Sequence, residues 1–212
     1  MISAVEAIQR LREGNLRFHA ASHRHPSKDR TRFEQMIENQ EPFAVILGCS
    51  DSRVPAEIVF DQGLGDLFVI RVAGNIVAPS QVGSVEFAVA EFQTRLVIVL
   101  GHSHCGAVNA TLKELHRPSP ERSPNLKSIV DRIRPAVEPI LEFEAGLDPE
   151  QLMAAAVRAN IRAAANQLRH GSSLIENLIA TQGLAIVGAE YCLKTGKVDF
   201  FDVPDELQSI LQ

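Results

Sequence analysis

Two short apolar segments, each followed at once by metal-binding residue types, constrain the fold of this chain more than any other feature. Residues 43–47 read Phe-Ala-Val-Ile-Leu and run into Cys49. Residues 96–100 read Leu-Val-Ile-Val-Leu and run into His102 and Cys105. Continuous apolar runs of this length are typical of strands buried on both faces of a parallel sheet. Because ligands collect at the carboxyl ends of parallel strands, the sequence predicts that the three side chains meet there.

Two thiolates and one imidazole form a ligand set that zinc accepts. A catalytic zinc site has three protein ligands and leaves a fourth position for water. Taken alone, a buried cysteine is usually a small apolar side chain, and a His-x-x-Cys pair is a weak signal. The occurrence of both at two strand ends favours a metal site formed by Cys49, His102 and Cys105, with His104 left out.

Asp51 and Arg53 lie in the turn that follows Cys49. A carboxylate at this position could bind the metal itself or accept a hydrogen bond from a water molecule on it. The planar guanidinium group of Arg53 can pair with that carboxylate. The alternative is an ordinary surface ion pair, worth ~0–1 kcal/mol. The proximity to a candidate ligand favours a role for both residues in the site.

The remaining pattern predicts an α/β fold with a central, mostly parallel β-sheet flanked by helices. About four parallel strands and one antiparallel edge strand, joined to the fourth by a hairpin, are expected. Pro135 and Pro139 are expected to kink or split the helix that contains them. The predicted strands are 43–48, 67–72, 96–101, 184–190 and 198–203, and the predicted helices are 3–18, 27–38, 80–93, 105–116, 125–143, 149–169 and 172–181.

Size and composition indicate a single domain in a reducing compartment. The 212 residues fit one unit, with an N-terminal helical arm over 1–40 and an α/β zinc-binding core over 41–212. A net charge of −5 with mixed signs argues against a nucleic-acid partner. Three cysteines do not suggest a disulfide framework. Since neither a signal peptide nor a membrane segment is visible, we expect a cytoplasmic protein with no membrane partner.

Taken together, the motifs resemble those of the β-class carbonic anhydrases. The matching stretches are 49–57, 65–75, 83–89, 101–107 and 188–196, and the resemblance covers essentially the whole chain. It implies reversible hydration of CO₂ to bicarbonate and a proton by attack of zinc-bound hydroxide. It also implies one Zn²⁺ per chain, held by Cys49, His102 and Cys105, with Asp51 and Arg53 as a catalytic dyad that orients or gates the site.

The resemblance further implies an oligomer. The chain would form a homodimer or a homotetramer built as a dimer of dimers, with its N-terminal helices packed on a neighbouring subunit. Gln40 matches a glutamine that contacts substrate across the dimer interface in this family. Phe68 matches a residue that lines the apolar CO₂ pocket.

The chain departs from the family pattern at two places. Some bacterial members bind an inhibitory bicarbonate with a Trp, Arg and Tyr trio. Arg71 and Tyr191 match that trio, but Ile46 stands at the tryptophan position, which argues against inhibition of that kind. Phe87 stands where many members have tyrosine, so a hydrogen bond from that hydroxyl is lost.

Three alternatives follow from the same residues. A hydrolase of carbonyl sulfide or carbon disulfide could use the same scaffold and zinc chemistry. A phosphatase with a cysteine nucleophile would place an arginine six positions after the cysteine, whereas Arg53 is four after Cys49, and Asp51 would repel phosphate. A zinc-stabilised binding module would need a closed site with four ligands, which Asp51 could complete.

Overall fold

A five-stranded sheet organises the part of the chain that the computed structural model describes, residues 2–23, 36–37, 39–117, 123–143, 146–205 and 207–208. The strand order is β2-β1-β3-β4-β5, in which the first four are parallel and β5 runs antiparallel to β4. This confirms the predicted fold class. The strands are β1 (Ala44–Gly48), β2 (Leu67–Arg71), β3 (Leu96–His102), β4 (Ala185–Tyr191) and β5 (Val198–Asp202).

The helices agree with the predicted ones to within about two residues, and two short elements had not been predicted. The helices are α1 (Ala4–His19), α2 (Ala56–Val59), α3 (Pro79–Glu91), α4 (Gly106–His116), α5 (Pro124–Phe143), α6 (Pro149–His170) and α7 (Ser173–Gln182). Sequence analysis missed α2 and the 3₁₀ turn Ala73–Asn75. The predicted helix 27–38 falls outside the described residues except at Met36 and Ile37.

The sheet is covered on both faces, as its apolar strands require. Val97 and Val99 of β3 belong to the core between the sheet and helices α3 to α7. Ile98 and Leu100 belong to a second core that α1 and α2 cover. All four side chains are fully buried. This double burial explains why β3 is continuously apolar rather than alternating.

Helix α1 packs on the sheet of its own chain. Ser3 caps the helix by accepting a hydrogen bond from the Glu6 amide at 3.2 Å. Ile8 and Leu11 are fully buried in the second core, while Leu16 is 55% exposed. Because this apolar face is already used within the chain, the packing of α1 on a neighbouring subunit stays a prediction.

Helix α5 runs as one element through Pro135 and Pro139, so the predicted split is wrong, while the alternative of a kink stays a prediction. A proline in a helix interior costs about 3 kcal/mol because it removes a backbone hydrogen bond. Ile133 and Val137 flank the first proline and are fully buried in the core. Burial of two such side chains contributes about 3–6 kcal/mol, which offsets the local cost.

None of the described helices combines the length and the apolar character needed to cross a membrane. The cytoplasmic location stays a prediction.

Candidate metal centre

The carboxyl ends of β1 and β3 bring three candidate ligands together. The Sγ atoms of Cys49 and Cys105 lie 4.0 Å apart. Together with one ring nitrogen of His102, these atoms all lie within 4.8 Å of one another. Zn–S bonds of about 2.3 Å in a tetrahedral site imply an Sγ–Sγ separation of about 3.8 Å. The spacing of the two sulfur atoms therefore fits zinc.

The imidazole of His102 is oriented as a metal ligand would be. Its Nδ1 lies 2.9 Å from the carbonyl oxygen of Ser103. Since a carbonyl only accepts, Nδ1 carries a proton and Nε2 is the nitrogen available to a metal ion. The side chain is fully buried, and Nε2 has no hydrogen-bond partner among the described residues. A buried nitrogen without a partner is costly, and a bound metal ion would satisfy it.

The charges of the cluster also favour a bound cation. The hydrogen bond from the Cys105 thiol lowers the pKa of Cys49, with smaller contributions from His102 and the Gly74 amide. The same bond, together with burial, raises the pKa of Cys105. Burial alone would lower the pKa of His102, but the adjacent Cys49 sulfur raises it above its ordinary value. A metal ion bound between the two sulfur atoms would be held by both as thiolates, and its binding would release their protons.

Asp51 and Arg53 form a rigid pair beside these ligands. Arg53 donates from Nε to Oδ1 at 2.9 Å and from Nη2 to Oδ2 at 2.7 Å, and its backbone amide donates to Oδ1 at 3.0 Å. These bonds hold the pKa of Asp51 well below its usual range. Asp51 Oδ2 lies 3.7 Å from His102 Nε2. A permanently anionic carboxylate thus borders the position that a metal would occupy.

Two further residues, Arg71 and Gly74, fix the segment that carries Cys49 and Asp51. Arg71 ends β2 and donates from Nε to the Cys49 carbonyl at 3.0 Å and from Nη2 to the Asp51 carbonyl at 2.6 Å. The amide of Gly74 donates to Cys49 Sγ at 3.3 Å. Sequence analysis missed Gly74, whose only signal was its place in a stretch that matched the family.

Comparisons with known proteins agree with this geometry. A family model described as carbonic anhydrase matches residues 44–198, more than half of the chain. The chain is 40% identical over 195 residues to a carbonic anhydrase of Mycolicibacterium smegmatis, with 92% of each chain covered. It is 39% identical over 193 residues to carbonic anhydrase 2 of Mycobacterium tuberculosis, covering 91% of this chain and 90% of that one.

The chain belongs to the β-class carbonic anhydrases. Among solved structures, it is similar to the β-carbonic anhydrase CcaA, with 30% identity, a TM-score of 0.74 and coverage of 94% of this chain and 93% of that one. A tetrameric β-carbonic anhydrase of Sordaria macrospora is 25% identical with a TM-score of 0.71, covering 80% of this chain and 85% of that one. The chain is therefore an enzyme of this family.

Of the two residues that the family resemblance assigned to substrate binding, Gln40 lies away from the ligands of its own chain, and Phe68 lies in a cluster of aromatic side chains. Gln40 is exposed and lines a cavity of about 1070 Å³, together with Phe87 and Phe92. The ring of Phe68 lies 6.1 Å from Phe87 and 5.9 Å from Phe92, measured between centroids. Gln40 precedes β1, whereas Cys49 follows it, so the two lie beyond opposite ends of this strand.

The three positions that correspond to the bicarbonate-binding trio lie in strands β1, β2 and β4. Ile46 is fully buried within β1, and Tyr191 is 6% exposed at the end of β4. Tyr191 pairs in register with His102, and its ring lies 6.2 Å from that of Phe18. Arg71 is engaged with two backbone carbonyls of the ligand segment. These contacts give Arg71 and Tyr191 structural roles in addition to their match with the trio.

Proposed function

We propose that this chain catalyses the reversible hydration of CO₂ to bicarbonate and a proton, with one Zn²⁺ held by Cys49, His102 and Cys105. The observation that carries this proposal is the buried Nε2 atom of His102, which has no partner among the described residues, belongs to a cluster with two thiols and lies 3.7 Å from Asp51 Oδ2. When bound, zinc supplies a Lewis acid that makes a water molecule nucleophilic near neutral pH. The test is CO₂ hydration by protein of known zinc content, measured by stopped-flow with a pH indicator.

The arrangement of Asp51 supports an open, catalytic site rather than a closed, structural one. A closed zinc site needs four protein ligands. Both carboxylate oxygens of Asp51 accept hydrogen bonds from Arg53. Within the described residues, the group of potential ligands at this site contains only Cys49, His102 and Cys105. A fourth position is thus left for a small substrate.

In this proposal, Asp51 orients the attacking water and Arg53 holds Asp51 in place. The carboxylate stays charged at every working pH because its pKa is lowered, so it always acts as a hydrogen-bond acceptor. Its Oδ2 lies 3.7 Å from His102 Nε2, close enough to receive a hydrogen bond from a molecule in the fourth position. The two bonds from Arg53 keep the carboxylate from rotating.

We also propose that the working form is a homodimer or a dimer of dimers, in which Gln40 acts at the site of a neighbouring subunit and Phe68 lines the apolar CO₂ pocket. The solved structures to which the chain is similar include enzymes described as tetrameric. From Ala44 to Cys49 the strand extends about 16 Å, so Gln40 is remote from its own ligands. Phe87 is 52% exposed beside Phe68 and lines the same cavity as Gln40, so the surface near Gln40 is partly apolar and a second copy of the chain can cover it.

Mixed oligomers test whether Gln40 acts across an interface. Gln40→Ala and Asp51→Asn should each have low activity for different reasons. When the two variants are refolded together, a mixed dimer has one complete site, formed by Asp51 of one chain and Gln40 of the other. We therefore expect the mixture to be more active than the sum of its separate components, measured by stopped-flow at equal zinc content. If the activity of the mixture is only the average of the activities of the two variants, Gln40 either acts in the site of its own chain or has no catalytic role.

A further inference from the structure

A buried asparagine of α6 is connected to the candidate metal centre through one turn of backbone. Asn160 is 3% exposed and donates from Nδ2 to the carbonyl oxygen of Gly74 at 2.8 Å. Gly74 in turn donates its amide hydrogen to Cys49 Sγ. Asn160 therefore contacts the residue that hydrogen-bonds a candidate ligand, without contacting the ligand itself.

The turn that carries Gly74 has little freedom to move. Gly74 has φ 71°, in the left-handed region that favours glycine. A Cβ at this position would lie 2.8 Å from Ile133 Cδ1 and 3.0 Å from Ala107 Cβ, so the backbone is packed closely against α5 and α4. The Val72 amide donates to the Gly48 carbonyl at 3.1 Å. The bond from Asn160 completes this set of restraints on the side that faces α6.

We propose that Asn160 is a positioning residue, which holds the Gly74 carbonyl so that the Gly74 amide points at the sulfur of Cys49. Hydrogen bonds to a metal-bound thiolate withdraw electron density from the sulfur, and partners of this kind tune affinity and reactivity. The inference rests on the zinc site proposed above.

The position of Asn160 in α6 agrees with this role. Its neighbours Val157, Ile161 and Ala164 are buried in the apolar core. A polar side chain on that face is unfavourable unless it is hydrogen-bonded. The bond to Gly74 gives the buried Nδ2 group a partner and links α6 to the segment that positions Cys49.

Asn160→Leu tests the proposal, because leucine has a similar size and cannot donate. We expect zinc affinity, measured by competition with a chelator, to fall by up to about 10-fold, the lower end of the range for direct hydrogen-bond partners of a ligand, because Asn160 acts through Gly74. In the cobalt-substituted protein, the thiolate-to-cobalt charge-transfer band should move to longer wavelength, since the sulfur keeps more electron density. Neither readout depends on turnover.

Asn15→Leu is the matched control. Asn15 is 5% exposed and donates from Nδ2 to the carbonyls of Val59 and Gly196 at 3.1 and 2.9 Å, on the face of the sheet covered by α1. This substitution also removes buried hydrogen bonds, so it should lower the free energy of unfolding. It should leave zinc affinity and the cobalt band unchanged.

Asn160→Ser is the second variant in case leucine prevents folding, since serine is small and too short to reach Gly74. Folded variants with wild-type zinc affinity and an unmoved cobalt band would overturn the inference. Equal shifts in Asn15→Leu would also overturn it, because they would reflect general destabilisation. A wild-type chain that binds neither zinc nor cobalt would instead contradict the proposed function.

Discussion

Cys49→Ser is expected to lose most of its zinc and nearly all of its CO₂ hydration activity. Three protein ligands are the minimum set for catalytic zinc, and a serine hydroxyl is not ionised at neutral pH as a thiol becomes on binding. The loss of affinity should exceed the roughly 10-fold to 100-fold cost of removing an outer-shell partner. His102→Ala and Cys105→Ser should behave alike, because their donor atoms belong to the same buried cluster.

Cys192→Ser is the control for these variants. Cys192 is half-buried beyond β4, and its carbonyl accepts the amides of Thr195 and Gly196 in the hairpin turn. It stands outside the candidate ligand cluster, so the same chemical change there should preserve zinc content and rate. Zinc is measured by mass spectrometry of metal ions and activity by stopped-flow. A ligand variant that keeps full zinc occupancy would refute the assignment of that residue.

Asp51→Asn is expected to retain zinc and to lose at least about 100-fold in turnover, the scale of a positioned proton-handling group. The amide has no charge and only one acceptor oxygen, and its NH₂ group would face the guanidinium of Arg53. The attacking water would then lose its fixed acceptor. Turnover per bound zinc separates this effect from loss of metal.

Asp131→Asn makes the same change at an ordinary surface pair. Asp131 lies on α5 and accepts a bond from Lys127 at 2.6 Å in an exposed position. Such pairs contribute little to stability, so zinc content and rate should stay at wild-type values. If Asp51→Asn retained the wild-type rate, the dyad would have no catalytic role. If that variant lost its zinc in parallel with activity, Asp51 would be a ligand instead.

The strands and the candidate cluster were predictable because their signals are local. A strand buried on both faces, such as β3, is continuously apolar, and the residues that follow it have distinctive metal chemistry. Elements of three or four residues, such as α2 and the 3₁₀ turn Ala73–Asn75, have no periodicity to detect. They were accordingly missed.

The supporting contacts were not predictable, because they depend on the direction of backbone groups in space. Asn160 and Gly74 are 86 positions apart in the sequence, and nothing in either segment indicates that an amide and a carbonyl meet. In helix α5 a local signal was misleading. Pro135 predicts a break, but its local effect is offset by burial of Ile133 and Val137 against distant elements. Both the contact of Asn160 with Gly74 and the continuity of helix α5 therefore depend on tertiary packing.

The most direct test of the account is the rate of CO₂ hydration as a function of bound zinc, from about pH 6.5 to about pH 9, a range around the pKa of roughly 7 for zinc-bound water. Protein stripped of metal by a chelator should be inactive. Activity should return in proportion to added zinc and level off at one ion per chain. Protein that binds one zinc per chain and hydrates no CO₂ anywhere in this range would contradict the account, and would indicate a closed structural site or a different small substrate.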